Sequence, residues 1–167
     1  LAELDFKIGA EIGVEQGLYT EVLCRANPQA KIYGIDAWWS YNRYREHVSQ
    51  DKLDRFYEEA KERLAPYNCQ LIRHFSMDAV QDFDDNSLDF VYIDANHDFR
   101  YVVDDLAEWS KRVRPGGIIS GHDYRKTKNN MPFHVIEATH GFTSAYRISP
   151  WFVLRNDHRA ASFMWVK

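Results

Sequence analysis

Four side chains in the second half of this 167-residue chain have types and spacing suited to chemistry. Asp94 ends an apolar run, Leu88–Ile93, that reads as a buried strand. His97 follows three residues later, where a helical pattern is about to begin. A second run, Gly117–Ser120, leads into His122 and Asp123. In a parallel sheet the ends of neighbouring strands are about 5 Å apart. Asp94 and His122 or Asp123 can therefore converge. Ligation by carboxylates and water suits Mg²⁺ or a similar hard cation.

Such convergence requires a sheet that brings distant segments side by side. Strand-like runs are Phe6–Ile12, Lys31–Ile35, Gln70–Ile72, Leu88–Ile93 and Gly117–Ser120, with Thr143–Ile148 and Ser162–Val166 near the end. Between them lie helical repeats. Leu18, Val22 and Ala26 share one face, Leu53, Phe56, Tyr57, Ala60 and Leu64 another, and Val102, Leu106, Trp109 and Val113 a third. This alternation predicts one α/β domain over residues 1–167, with a mostly parallel sheet covered on both faces. The last two runs lack a convincing helix between them and predict an antiparallel C-terminal hairpin. Two polar stretches, Trp38–Asp51 and Arg125–Pro132, follow strands and so fall at the carboxyl end of the sheet, where open α/β folds bind ligands.

The first strand passes into its helix through Glu11-Ile12-Gly13-Val14-Glu15-Gln16-Gly17. Gly13 permits a sharp turn and a close backbone approach by a ligand, and Gly17 sits where the helix begins. The second strand ends at Asp36, whose carboxylate can accept hydrogen bonds from ribose hydroxyls. Nicotinamide-dependent oxidoreductases use the same device, so Asp36 alone leaves the ligand open. Their Gly-x-Gly-x-x-Gly pattern is absent, however, and Glu11 and Glu15 would repel a pyrophosphate. Those acids suit a ligand that carries an ammonium group.

Over about residues 7–124 the sequence resembles class I S-adenosylmethionine-dependent methyltransferases. The first motif of that family, an acid–x–Gly turn followed by glycine, is matched by Glu11, Gly13 and Gly17, and its ribose-binding acid by Asp36. The resemblance implies a Rossmann-like, doubly wound sheet. The methionine moiety of the cofactor would lie over Gly13, with Asp94 beside it and Ala37 or Trp38 against adenine. Asp78 matches an acid that contacts the adenine amino group; it reads equally well as a helix N-cap. The second half is similar to metal-dependent O-methyltransferases of the small-molecule and sugar-modifying type. That similarity implies a divalent cation on Asp94, His122 and Asp123, and His97 as general base. One position departs from the pattern: His122 stands where those families commonly carry an acid.

The implied reaction is methyl transfer to a hydroxyl of a small molecule, such as a sugar or a catechol-like diol. A cation lowers the hydroxyl pKa, and an imidazole with an ordinary pKa of about 6.5 takes the proton. Two other readings remain: a non-catalytic cofactor- or partner-binding domain, and a nicotinamide-dependent oxidoreductase. For His97 a local helix-start role stands beside the base role. The basic stretch Arg125–Lys128 reads as either an anion-attracting loop or a solvated one.

Composition sets outer limits. With 21 basic against 25 acidic residues and a net charge of −4, general nucleic-acid binding is not expected. No apolar run is long enough to span a membrane. Cys24 and Cys69 are too few for a disulfide framework, which points to a reduced, cytoplasmic protein. A homodimer through an exposed hairpin edge is compatible with the pattern. Aromatic residues make up 15% of the chain, and Trp38, Trp39, Tyr41, Tyr44 and Tyr124 are expected to surround the Asp36–Asp94–Asp123 cleft.

Overall fold

The strand that carries the glycine turn, β1 (Ile8–Ile12), lies in the interior of the sheet, with four of its five residues buried. It pairs in parallel with β2 (Lys31–Asp36) on one side and β4 (Leu88–Ile93) on the other. β3 (Cys69–Arg73) continues the sheet beyond β2, and β5 (Val113–Tyr124) continues it beyond β4. β7 (Ala161–Val166) runs antiparallel to β5, and β6 (Trp151–Leu154) runs antiparallel to β7. The order is β3-β2-β1-β4-β5-β7-β6. The computed structural model describes residues 2–40, 49–126, 133–155 and 160–167. The expected mostly parallel α/β sheet with an antiparallel C-terminal hairpin is therefore present.

Helices cover both faces. α1 (Leu18–Ala26) and α2 (Gln50–Leu64) pack on one core with Ile32, Phe90 and Tyr92. α3 (Ser76–Ala79), α4 (Phe99–Arg112) and α5 (Val135–Ala145) pack on the other with Ile12, Ile35 and Val91. α4 follows its sequence pattern closely: Val102, Leu106 and Trp109 are at most 3% exposed. Each such side chain contributes about 1.5–3 kcal/mol of burial.

Two readings of pattern are corrected. Thr143–Ile148 is not a strand; residues 135–145 form α5, and the hairpin is made by β6 with β7. β-branched Thr139 and Thr143 weaken the helical signal there, but both are buried against the core and Thr143 bonds back to the Thr139 carbonyl. Phe142 is accordingly a helix residue, and Tyr146, just past the helix, is 66% exposed. On α1 the Leu18–Val22 stripe faces outward, both residues being more than half exposed, and the buried face is Thr20, Leu23 and Cys24. A four-residue spacing locates a stripe; what a helix packs on decides which stripe is buried.

Candidate active site

The loop between β1 and α1 is built around Asp36. Its Oδ2 accepts hydrogen bonds from the Val14 and Glu15 amides at 3.0 and 2.9 Å, and its Oδ1 from the Trp38 amide at 3.0 Å. One carboxylate at the end of β2 thus shapes two loops. Trp38 locks them together: it is 1% exposed, its indole donates to the Glu15 carbonyl at 2.8 Å, and its ring packs on Tyr57. Glu15 and Trp38 both hold positive φ, 52° and 45°, which costs a non-glycine residue free energy that the surrounding contacts offset.

Gly13 has φ +96°, and a Cβ there would lie 2.1 Å from the Asp94 carbonyl oxygen. Its absent side chain lets the ends of β1 and β4 meet, in addition to leaving the turn open to a ligand. Gly17 does something other than line the site. Its φ of 75° starts α1, and its Cα faces Leu64 and Ala60 of α2, so it serves helix–helix packing. Glu11 is 2% exposed beneath the loop and bonded by the Thr20 hydroxyl. Burial holds its carboxyl well above the usual range, the Thr20 bond pulling the other way and nearby Asp94 adding to the rise.

Asp94 and Asp123 converge, as the strand ends require, but the imidazole between them is that of His97. His97 Nε2 lies 3.4 Å from Asp94 Oδ1 and 3.1 Å from Asp123 Oδ2. One ligand atom from each of Asp94, His97 and Asp123 falls within 4.8 Å of the others, a set that could hold a cation. His122 lies at the rim, with Nδ1 3.5 Å from Asp94 Oδ2 and 3.9 Å from Asp123 Oδ1. The reason is a bulge in β5. Three residue steps from Gly121 to Tyr124 oppose two on β7, and Asp123 takes φ +55°. A bulge re-aims side chains, so strand alternation does not hold at this pair.

The His97 corner is further held by the residues that lead into α5. The His134 amide donates to the His97 carbonyl at 2.8 Å, His134 Nδ1 accepts from the Phe99 amide, and Phe133 stacks on the His97 ring at 4.4 Å. Arg125 lies over Phe133 and places Nε 3.0 Å from Asp123 Oδ1. The Phe133 and His134 contacts leave no mark in the sequence pattern, because they depend on where α5 returns to the sheet.

These groups border one cleft of about 730 Å³. Of the expected residues, Glu11, Gly13, Asp36, Ala37, Trp38, Asp78, Asp94, His97 and Asp123 line it, and Gly17 and His122 do not. Asp78 lies within α3, whose N-cap is Phe75, so it is not the cap. Of the aromatic set, Trp38 and Trp39 line the cleft. Tyr124 instead packs on His140 and Trp151, away from it. Tyr41 and Tyr44 lie outside the described residues. Tyr19, Phe56, Phe75, Tyr101 and Phe133 supply aromatic lining that the sequence did not single out. Among the described residues, no helix is long and apolar enough to cross a membrane.

Known structures share this fold. The O-methyltransferase from Bacillus cereus in complex with SAH superposes with a TM-score of 0.68 and 17% identity, over 97% of this chain and 74% of that one. TomG from Streptomyces achromogenes, an O-methyltransferase involved in tomaymycin synthesis and solved with SAM, gives 0.68 and 18% over 96% and 73%. A curated relative, the uncharacterized protein y4gI of Sinorhizobium fredii, is 22% identical over 124 residues, 70% of this chain. The chain spans only 12% of that relative's length. A family model described as a methyltransferase domain matches residues 10–124. The chain belongs to this methyltransferase-domain family and has the class I methyltransferase fold.

Proposed function

We propose that the protein transfers a methyl group from S-adenosylmethionine to a hydroxyl of a small molecule, assisted by a divalent cation and by His97. The observation that carries this reading is the convergence of Asp94, His97 and Asp123 at the wall of a cleft that also contains Gly13 and Asp36. The cleft volume lies within the range of small-molecule sites, about 300–1,000 Å³. Its acidic lining, Glu15, Asp36 and Asp94 included, suits a ligand with ammonium and sulfonium charges. The two solved O-methyltransferases named above, bound to SAH and SAM, support the choice of cofactor.

S-adenosylmethionine supplies an electrophilic methyl group on a sulfonium. The residues here would hold it, with the methionine end over Gly13 and the ribose at Asp36. The two carboxylates, Asp94 and Asp123, with water are a donor set that fits Mg²⁺ or Mn²⁺, and His97 Nε2 beside them is left free as a base. The acceptor hydroxyl loses its proton to His97 Nε2. The cofactor would supply its methyl carbon to that oxygen, a C–O bond forming as the C–S bond breaks with the electron pair left on sulfur. The protein contributes alignment and a place for the proton.

Calorimetry with S-adenosylmethionine, S-adenosylhomocysteine and NAD, each with and without Mg²⁺, tests the reading. Binding of the two methionine-derived ligands and not of NAD is expected. No measurable affinity for either of them would sink it.

A further inference from the structure

α4 presents Asp105 to the interior on the same face as Val102, Leu106 and Trp109. A carboxyl group on such a face is costly unless it has a partner. Here the partner is Ser76, at the start of α3. The Ser76 hydroxyl donates to Asp105 Oδ1 and accepts from Trp109 Nε1 at 2.8 Å. The indole can only donate, so the direction of the chain is fixed and the single Ser76 proton is committed to the carboxyl. Trp109 is fully buried and Asp105 is 3% exposed. Asp105 is nevertheless a lining residue of the cleft, so the little surface it keeps opens there. Among the described residues, the bond from Ser76 is the one its side chain makes.

This inference rests on the proposed cofactor. With the ribose at Asp36 and the sulfonium near Asp94, the purine is assigned to one of the stretches of lining that remain, Ser76 to Asp78 with Tyr101 and Asp105. We infer that Asp105 is the base-selecting residue, its inward carboxyl accepting a hydrogen bond from the exocyclic amino group of the purine. Asp78, the acid that the sequence pattern offers for this contact, is exposed. In water a lost hydrogen bond is replaced by solvent, so an exposed acid discriminates weakly. A buried acceptor facing a 6-oxo group has no replacement and discriminates strongly. The Ser76 and Trp109 clamp keeps the carboxyl from turning to avoid the mismatch.

The test compares S-adenosylhomocysteine with S-inosylhomocysteine, in which a 6-oxo group and N1–H replace the 6-amino group and N1, by calorimetry on the full chain at about pH 8.5, where the Asp105 carboxyl is ionised and can only accept. Wild-type protein is expected to prefer the adenosyl ligand by about tenfold or more. Asp105→Asn keeps the size of the side chain and can turn an amide donor toward the cleft. It should shrink that ratio by about tenfold or invert it. Should this variant fail to fold, Ser76→Ala leaves the carboxyl in place without its clamp and should narrow the same ratio. Asp78→Asn should leave the ratio unchanged. An unchanged ratio in Asp105→Asn, or in Ser76→Ala where that variant takes its place, would overturn the inference. So would a ratio that moves with Asp78→Asn instead. Wild-type protein that binds neither ligand would overturn the methyltransferase reading itself, a separate failure.

Discussion

His97 Nε2 stands 3.1 Å from Asp123 Oδ2, although 26 residues and a whole helix separate the two in the chain. Phe133 and the His134 amide hold the histidine from the other side. An imidazole gripped at ring and backbone is placed to take a proton from a hydroxyl. His97→Ala should lower kcat by about 10²- to 10⁴-fold. Affinity for S-adenosylhomocysteine, measured by calorimetry, should stay nearly unchanged. If the variant turned over normally, the base role would have to be dropped.

Asp94 and Asp123 offer one oxygen each to the same small volume. If they hold a cation that activates the acceptor, EDTA should abolish turnover and added Mg²⁺ or Mn²⁺ should restore it. Asp123→Asn should weaken the cation response, read as the metal concentration for half-maximal rate. Full activity in EDTA would remove the metal from the mechanism.

Asp36 has a double task. Its carboxylate accepts from three loop amides, so the group expected to receive ribose hydroxyls also sets the shape of the turn. Asp36→Ala should weaken cofactor binding by about 1–3 kcal/mol, as expected for lost hydrogen bonds to a charged acceptor. It should also lower the denaturation midpoint, because the Val14, Glu15 and Trp38 amides lose their acceptor. Unchanged affinity would mean that the ribose site is elsewhere.

These positions show how far the sequence could be read. Apolar runs located the five parallel strands, and a strand's carboxyl end is where Asp36 and Asp94 had to emerge. That His97 stands closer than His122 to Asp123 was not legible. It depends on a bulge at residues 121–124, and a bulge leaves no mark in a hydrophobic pattern. Asp105 was missed for a related reason: a single acid within an apolar helix face becomes informative only when Ser76 and Trp109 are seen beside it. Gly17 was placed at the right helix start, but its contact with Leu64 and Ala60 of α2 is a matter of tertiary packing.

Gly13 tests the junction of β1 and β4. With φ +96° and an Asp94 carbonyl 2.1 Å from where a Cβ would be, even alanine must push the two strand ends apart. Gly13→Ala should cost more than the roughly 1 kcal/mol of an unfavourable φ alone. Because Asp94 sits on the displaced segment, cation response and turnover should fall with stability. A variant of wild-type stability, measured by denaturant unfolding, would show that the strand ends are not so closely joined.

Asp105 and Glu11 make stability depend on pH in a direction opposite to that of an ion-paired acid. Burial raises the Asp105 carboxyl from 3.8 to about 7; the Ser76 bond opposes the rise and Asp104 adds to it. Burial raises Glu11 in the same direction. In the unfolded chain both ionise near their ordinary values, so between those values and the folded ones the native state binds more protons. Stability contributed by the neutral carboxyl is then complete below about pH 3.8 and is lost as pH rises through about 7. The slope from one such group approaches about 1.4 kcal/mol per pH unit within that window. Asp105→Asn has no proton to lose there. Urea unfolding of both proteins at pH 5, 6 and 7 should therefore show the variant gaining on the wild type by on the order of 1 kcal/mol per unit. Above pH 8 the two curves should run parallel. Parallel curves throughout would mean that Asp105 ionises in the folded protein as it does in water, and that the Ser76 and cleft contacts are too wet to hold it neutral.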